Sequence, residues 1–134
     1  MTKNTTNRKD EAIRIGSYIL GAMFVLAGAT KLASMGDHAA HFAAWGFPAW
    51  FLYVVGATEV AAGALLVASK TRFIAAATLA STMVGAVGTH VVAGEFSQTA
   101  APAAFLIATG AIAYATRHQL SELLARVRRV ASSQ

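Results

Sequence analysis

Four long apolar runs, separated by short polar breaks, dominate the pattern of this chain. Ile15 to Thr30 contains no charged residue and is closed by Lys31, Leu32 and Ala33. Ala49 to Ser69 is apolar apart from Glu59, and Phe73 to Ala93 carries no formal charge, with His90, Ser81 and a few threonines as its polar side chains. Each approaches or reaches the roughly 20 residues that a helical crossing of a bilayer needs. The fourth run, Ala101 to Thr116, is shorter and rich in alanine, and reaches full thickness by borrowing Thr99, Ala100 and the stem of Arg117. The spacing predicts an all-α protein, an integral membrane four-helix bundle in a single domain, 1–134, with spans near 15–33, 49–69, 73–93 and 99–117. A soluble bundle would need a polar stripe on each helix, and Phe73 to Val92 offers none.

The connections, Ser34 to Pro48, Lys70-Thr71-Arg72 and Gly94 to Ala100, are too short for a second domain. Gly46-Phe47-Pro48 marks a turn into the second span, with Pro48 where its missing donor costs little. Before Ile15 the chain is polar, so the first helix is expected to begin near Asp10 or Glu11, behind a frayed segment. After the fourth span, Leu120, Leu123, Leu124 and Val127 recur at helical spacing among Arg126, Arg128 and Arg129. This tail, 118–134, suits either an amphipathic helix lying on an anionic leaflet or a solvated continuation of the last span. A basic start, an apolar run and Ala27-Gly28-Ala29 also resemble a cleaved secretion signal. The length of the run, and Asp10 and Glu11 ahead of it, argue that the first span is retained.

Composition sharpens this picture. Hydrophobic residues make up 56% of the 134 positions and charged residues 13%, about half the charged share of an average soluble domain. The net charge of +5 does not indicate nucleic acid, because the cations form short clusters rather than one basic face. Lys3, Arg8, Lys9 and Arg14 precede the first span, Lys70 and Arg72 join the second to the third, and Arg117, Arg126, Arg128 and Arg129 follow the fourth. Four crossings place all of them on one side, opposite Asp37 and Glu95, so the positive-inside rule puts both termini in the cytoplasm. With no cysteine, disulfides, thiol relays and cysteine-held metal centres are excluded. A redox role would use a non-covalent, diffusible carrier such as a quinone.

Ionisable groups inside a bilayer are costly and mark functional candidates. Here they are Lys31, Glu59 and His90. At roughly 1.5 Å per residue, Lys31 and His90 lie about 24 and 25 Å above the cytoplasmic edge, and Glu59 about 15 Å below the outer one. Helical side chains tilt toward their own N-terminus. The ascending first and third spans therefore aim Lys31 and His90 down, while the descending second span aims Glu59 up. The geometry predicts a Glu59–Lys31 ion pair with His90 as a further hydrogen-bond partner, either fixing helix register or binding a ligand and exchanging a proton, with snorkelling of Lys31 to the outer surface as the competing outcome. Small residues near these positions, Gly28, Gly56, Gly63, Ser81 and Gly85, read as close helix packing.

Other signals are weaker. His38 and His41, three residues apart, could share a helical face for a metal, but no cysteine or carboxylate motif supports one, and no metal is expected. Trp45, Phe47, Trp50, Phe51 and Tyr53 suit an interfacial belt. There is no phosphate-binding glycine loop, serine nucleophile pattern or paired carboxylate, so a stand-alone enzyme is not expected.

Gly21 to Lys31, ending Leu26-Ala27-Gly28-Ala29-Thr30-Lys31, then Phe42, Gly46-Phe47-Pro48, Gly56-Ala57-Thr58-Glu59 with Gly63, and Met83-Val84-Gly85-Ala86 with His90, together resemble the DoxX-like family of small bacterial membrane proteins. The resemblance implies a four-helix membrane bundle in the bacterial cytoplasmic membrane, and an association with redox or stress functions and quinone chemistry. It supplies no catalytic set; Lys31, Glu59 and His90 carry over only as family-like polar sites. The sequence reading is thus a redox-associated subunit or binder of a quinone-like amphiphile, with a lipid bilayer around it and a membrane redox partner or a second copy beside it. A small proton-coupled transporter and a non-catalytic helper subunit are the alternatives.

Overall fold

The computed structural model describes residues 2–34 and 36–134, and among them there is no strand. The helices are α1 (Thr2–Leu32), α2 (His38–Ala44), α3 (Ala49–Val67), α4 (Arg72–Val92), α5 (Ala100–Ala115) and α6 (His118–Ser132). A single 3-10 turn, Phe96–Thr99, leads into α5. The apolar spans are carried by α1, α3, α4 and the continuous run Phe96–Ala115, each long and apolar enough to cross a membrane.

Two boundaries differ from expectation. The first helix begins at Thr2, not near Asp10 or Glu11. Once a long apolar span has nucleated a helix, each added residue gains a backbone bond at small cost, and the hydroxyls of Thr5 and Thr6 donate back to the Thr2 carbonyl. The fourth span runs earlier than 99–117. It starts in the 3-10 turn, where the Thr99 hydroxyl donates to the Glu95 carbonyl at 3.2 Å, and it ends at Ala115, where Thr116 leaves helical geometry at φ −106°, ψ 11°. Pro102 lies in the first turn of α5, where a proline is tolerated.

α1 and α3 pack along a seam of glycines spaced seven apart, Gly21 and Gly28 against Gly63 and Gly56. A seven-residue repeat is the spacing that keeps one seam facing a neighbouring helix. A Cβ on Gly28 would sit 2.5 Å from the Gly56 carbonyl oxygen, and one on Gly21 would sit 2.7 Å from that of Gly63. Backbone meets backbone here. α4 and α5 form the other close pair, and α3 joins the two pairs through α4.

The turn between α3 and α4, the four residues 68–71, is held by side chains. The Arg72 guanidinium, buried although charged, donates to the carbonyls of Leu66 and Val67 at 3.1 and 2.9 Å, and the Thr71 hydroxyl donates to Leu65 at 2.8 Å. The last carbonyls of α3, which have no partner within the helix, are satisfied this way. Sequence reading had counted Arg72 only as a cation of the loop.

The interior divides into two halves. Toward the end bearing the termini, Leu20, Phe24, Ala62, Leu66, Ala75, Ala76, Leu79, Met83 and Ile112 form a filled core. Toward the opposite end the helices part around a cavity of about 700 Å³, which is partly open to the outside.

Candidate functional site

The cavity floor is where the core ends. Phe24 and Phe105 meet there with ring centroids 5.3 Å apart, beside Met83. Its walls come from α1, α3, α4 and α5, and α2 lies across the top, presenting His38, His41, Phe42 and Trp45. The lining is mainly apolar, with a few convergent polar groups, as is usual for small-molecule sites of this size.

Lys31 and Glu59 stand in the wall. The Lys31 ammonium donates to Glu59 Oε2 at 2.8 Å, with the Glu59 side chain 4% exposed and that of Lys31 16%. Among the described residues no buried side-chain oxygen or nitrogen lacks a partner. Since Oε2 carries the lysine contact, Oε1 is free only because it borders the cavity. The pair thus offers an acceptor, and Lys31 retains two further N–H donors.

His90 lines the same cavity but does not complete that pair. Its Nδ1 donates to Glu95 Oε2 at 2.8 Å, and no hydrogen bond joins it to Glu59 among the described residues. The cause is the end of α4. Gly94, at φ 74°, follows the helix; its N–H donates to Val91 and that of Glu95 to His90. This is the Schellman arrangement, which needs a residue without a Cβ at the left-handed position. It folds the chain back so that the carboxylate of Glu95 meets the ring five residues earlier. A carboxylate only accepts, so Nδ1 carries the proton, and in the neutral ring Nε2 is left as an acceptor.

Glu95, which sequence reading used only to orient the loops, also accepts from Trp45 Nε1 at 3.4 Å. Trp45 packs edge-on against the His90 ring, with centroids 5.1 Å apart. The same glycine device ends α2: Gly46 has φ 83°, its N–H donates to Ala43 and that of Phe47 to Phe42. The rings of Phe42 and Phe47, 5.8 Å apart, supply the apolar contact that accompanies this motif. Glu95 therefore latches α2, through Trp45, to the end of α4.

The two histidines of α2 lie apart in role. His38 Nε2 reaches the Thr30 hydroxyl at 3.4 Å, while His41 is exposed and stacks on Trp45. Among the described residues no three His, Asp or Glu side chains gather as a metal site would require. Ser81 and Gly85 do not pack helices together as their spacing suggested. A Cβ on Gly85 would meet nothing within 4 Å, the exposed Ser81 hydroxyl folds onto the Ala77 carbonyl at 2.9 Å, and both border the cavity. Small side chains on α4 make space there rather than close it.

The latch responds to acid. The hydrogen bond from His90 holds the Glu95 carboxyl below its ordinary 4.5; burial opposes it, and a further hydrogen bond from Trp45 adds to the lowering. Burial, with the charge of Lys31 behind it, lowers His38 from 6.5. A depressed pKa in the folded state contributes stability that is complete above the ordinary value and disappears as the pH falls through the depressed one. Both groups therefore loosen α2 in the same direction. In a Trp50→Phe background, Trp45 emission is expected to shift to the red as the pH drops from 6.5 to below 4.5. A shift that persists unchanged in Glu95→Ala would show that this carboxylate is not the latch.

Four apolar crossings, with ionisable groups turned inward to one another, define a multi-pass integral membrane protein in a lipid bilayer. The sequence profile of the DoxX-like family matches residues 15–113, and the chain belongs to that family. No curated protein and no solved structure matches it.

Proposed function

We propose that the protein binds a quinone-like small amphiphile in this cavity, as a redox-associated component of a bacterial cytoplasmic membrane. The observation that carries the reading is an ion-paired carboxylate, almost wholly buried in a membrane span, on the lining of an apolar space of about 700 Å³. In this reading the ring and tail of the ligand lie against Phe24, Phe105 and Met83, and its polar head meets Glu59 and Lys31. Glu59 accepts from a ligand hydroxyl or exchanges a proton with it, while Lys31 donates to a carbonyl. His90 serves as an acceptor from its free Nε2. In this reading the function is binding rather than stand-alone catalysis.

The clustering of cations at the end bearing the termini supports a cytoplasmic location for that end. A reporter active only in the cytoplasm, fused after Gln134, reads the orientation.

Gly85→Leu tests the site without touching the ion pair. The new side chain grows into open space, and leucine is the better helix former by about 1 kcal/mol. Solvent extraction of the protein purified in mild detergent is expected to release quinone from the natural chain, and at least tenfold less from Gly85→Leu at equal thermal stability. A natural chain that carries no quinone, or a variant that carries as much, would overturn the proposal.

A further inference from the structure

α6 has no buried residue and stands clear of the bundle beyond its first turn. On a wheel of 3.6 residues per turn, Leu120, Leu123, Leu124, Val127 and Val130 fall within about one third of the circumference. These side chains are 40% to 64% exposed, so no part of this chain covers them. Arg126 and Arg128 flank that apolar strip on its two sides, and Arg129 lies on the far face. Among the described residues none of the three arginines is in an ion pair, and the helix holds a single acid, Glu122.

The start of the helix is pinned at the membrane edge. Gln119 Nε2 donates to the Ser69 carbonyl at 2.7 Å, and its Oε1 accepts from the Phe73 backbone at 3.0 Å. Ser69 lies in the turn joining two spans and Phe73 just after it, where those spans leave the apolar layer. Just before it, the Arg117 guanidinium lies 3.9 Å over the Tyr114 ring, the pairing of aromatic and cation typical of an interfacial residue. On the wheel Gln119 falls on the same side as Leu123 and Val130. The apolar strip is thus turned toward the plane of the turn rather than away from it.

We propose that α6 is a binding surface for anionic phospholipid, lying in the leaflet next to the termini with its leucines and valines among the upper acyl carbons and its arginines on lipid phosphates. The flanking arginines favour this occupant over a second copy, because two such strips placed face to face would bring four like charges together. The inference does not depend on what the cavity holds.

The chain has no cysteine, so single-cysteine labelling is specific. An environment-sensitive fluorophore is placed at Val127→Cys, on the strip, or at Ala125→Cys, on the opposite side, in the full-length protein in nanodiscs. In discs containing phosphatidylglycerol, the Val127 label is expected to emit to the blue and to be quenched by spin-labelled lipid, while the Ala125 label stays solvent-like. Replacing Arg126, Arg128 and Arg129 by glutamine lowers the bound-to-free ratio by on the order of a hundredfold. Three results overturn the proposal: a solvent-like Val127 label in anionic discs, a blue shift that lipid quenchers do not touch, and a quenched label indifferent to the arginines and to replacement of the anionic lipid by phosphatidylcholine. The second of these would indicate a protein occupant, either another copy or a different chain.

Discussion

Glu59→Ala is expected to be the most damaging single change in the bundle. It leaves the Lys31 ammonium inside a span without the carboxylate that, among the described residues, is its one ion-pair partner at 2.8 Å. Removing one member of a buried pair costs roughly 3–5 kcal/mol, and the partial exposure of Lys31 places this case near the lower end. The loss should appear as a melting midpoint in detergent lower by about 10 °C. The companion variant, Lys31→Met with Glu59→Met, removes both charges and fills similar volume. It should recover most of the stability, because a buried pair contributes little beyond satisfying itself. If the double variant is no better than Glu59→Ala, the cost lies in lost packing and the ion pair is not its source.

The second large effect is expected at the glycine seam. Gly28→Ala adds one methyl group, yet the new carbon would lie 2.5 Å from the Gly56 carbonyl oxygen and 2.8 Å from the Val60 nitrogen. Backbone atoms cannot rotate away, so α1 and α3 must separate along their length. A loss of about 2–3 kcal/mol follows, at the upper end for overpacking. Gly110→Ala in α5 is the matched control: nothing lies within 4 Å of its added carbon, and the helix gains in propensity. Thermal unfolding of the two variants side by side decides the point, and equal midpoints would mean that the seam yields more easily than its geometry allows.

How much of this could be read beforehand depended on whether a residue's role was set by its own helix or by its neighbours. The Lys31–Glu59 contact followed from depth and tilt alone, since both side chains sit on long straight helices whose directions alternate. His90 has the same depth and tilt but another partner, because a glycine turn just beyond it returns Glu95 to its side. The signal was present as Gly94-Glu95 directly after the span, where a left-handed glycine folds the next residue back on the last turn. Ser81 and Gly85 mark the limit of spacing arguments: a small residue permits close approach, and only the placement of the other helices decides whether approach occurs. Arg72 was legible as a loop cation but not as the group that satisfies the end of α3, because that role needs the turn to bring it back over Leu66 and Val67. The helical start at Thr2 was missed because polar composition was weighed against helix formation without the span that extends it.

The glycine seam locks α1 to α3, and α4 is matched with α5, leaving the turn 68–71 and the packing of α3 on α4 as the spine between two covers. The hollow lies at the fore-edge, farthest from that spine and beneath the small flap of α2. A few degrees of rotation about the binding would widen it most at that edge. A guest could then be admitted or released without disturbing either locked pair or the dense packing near the spine.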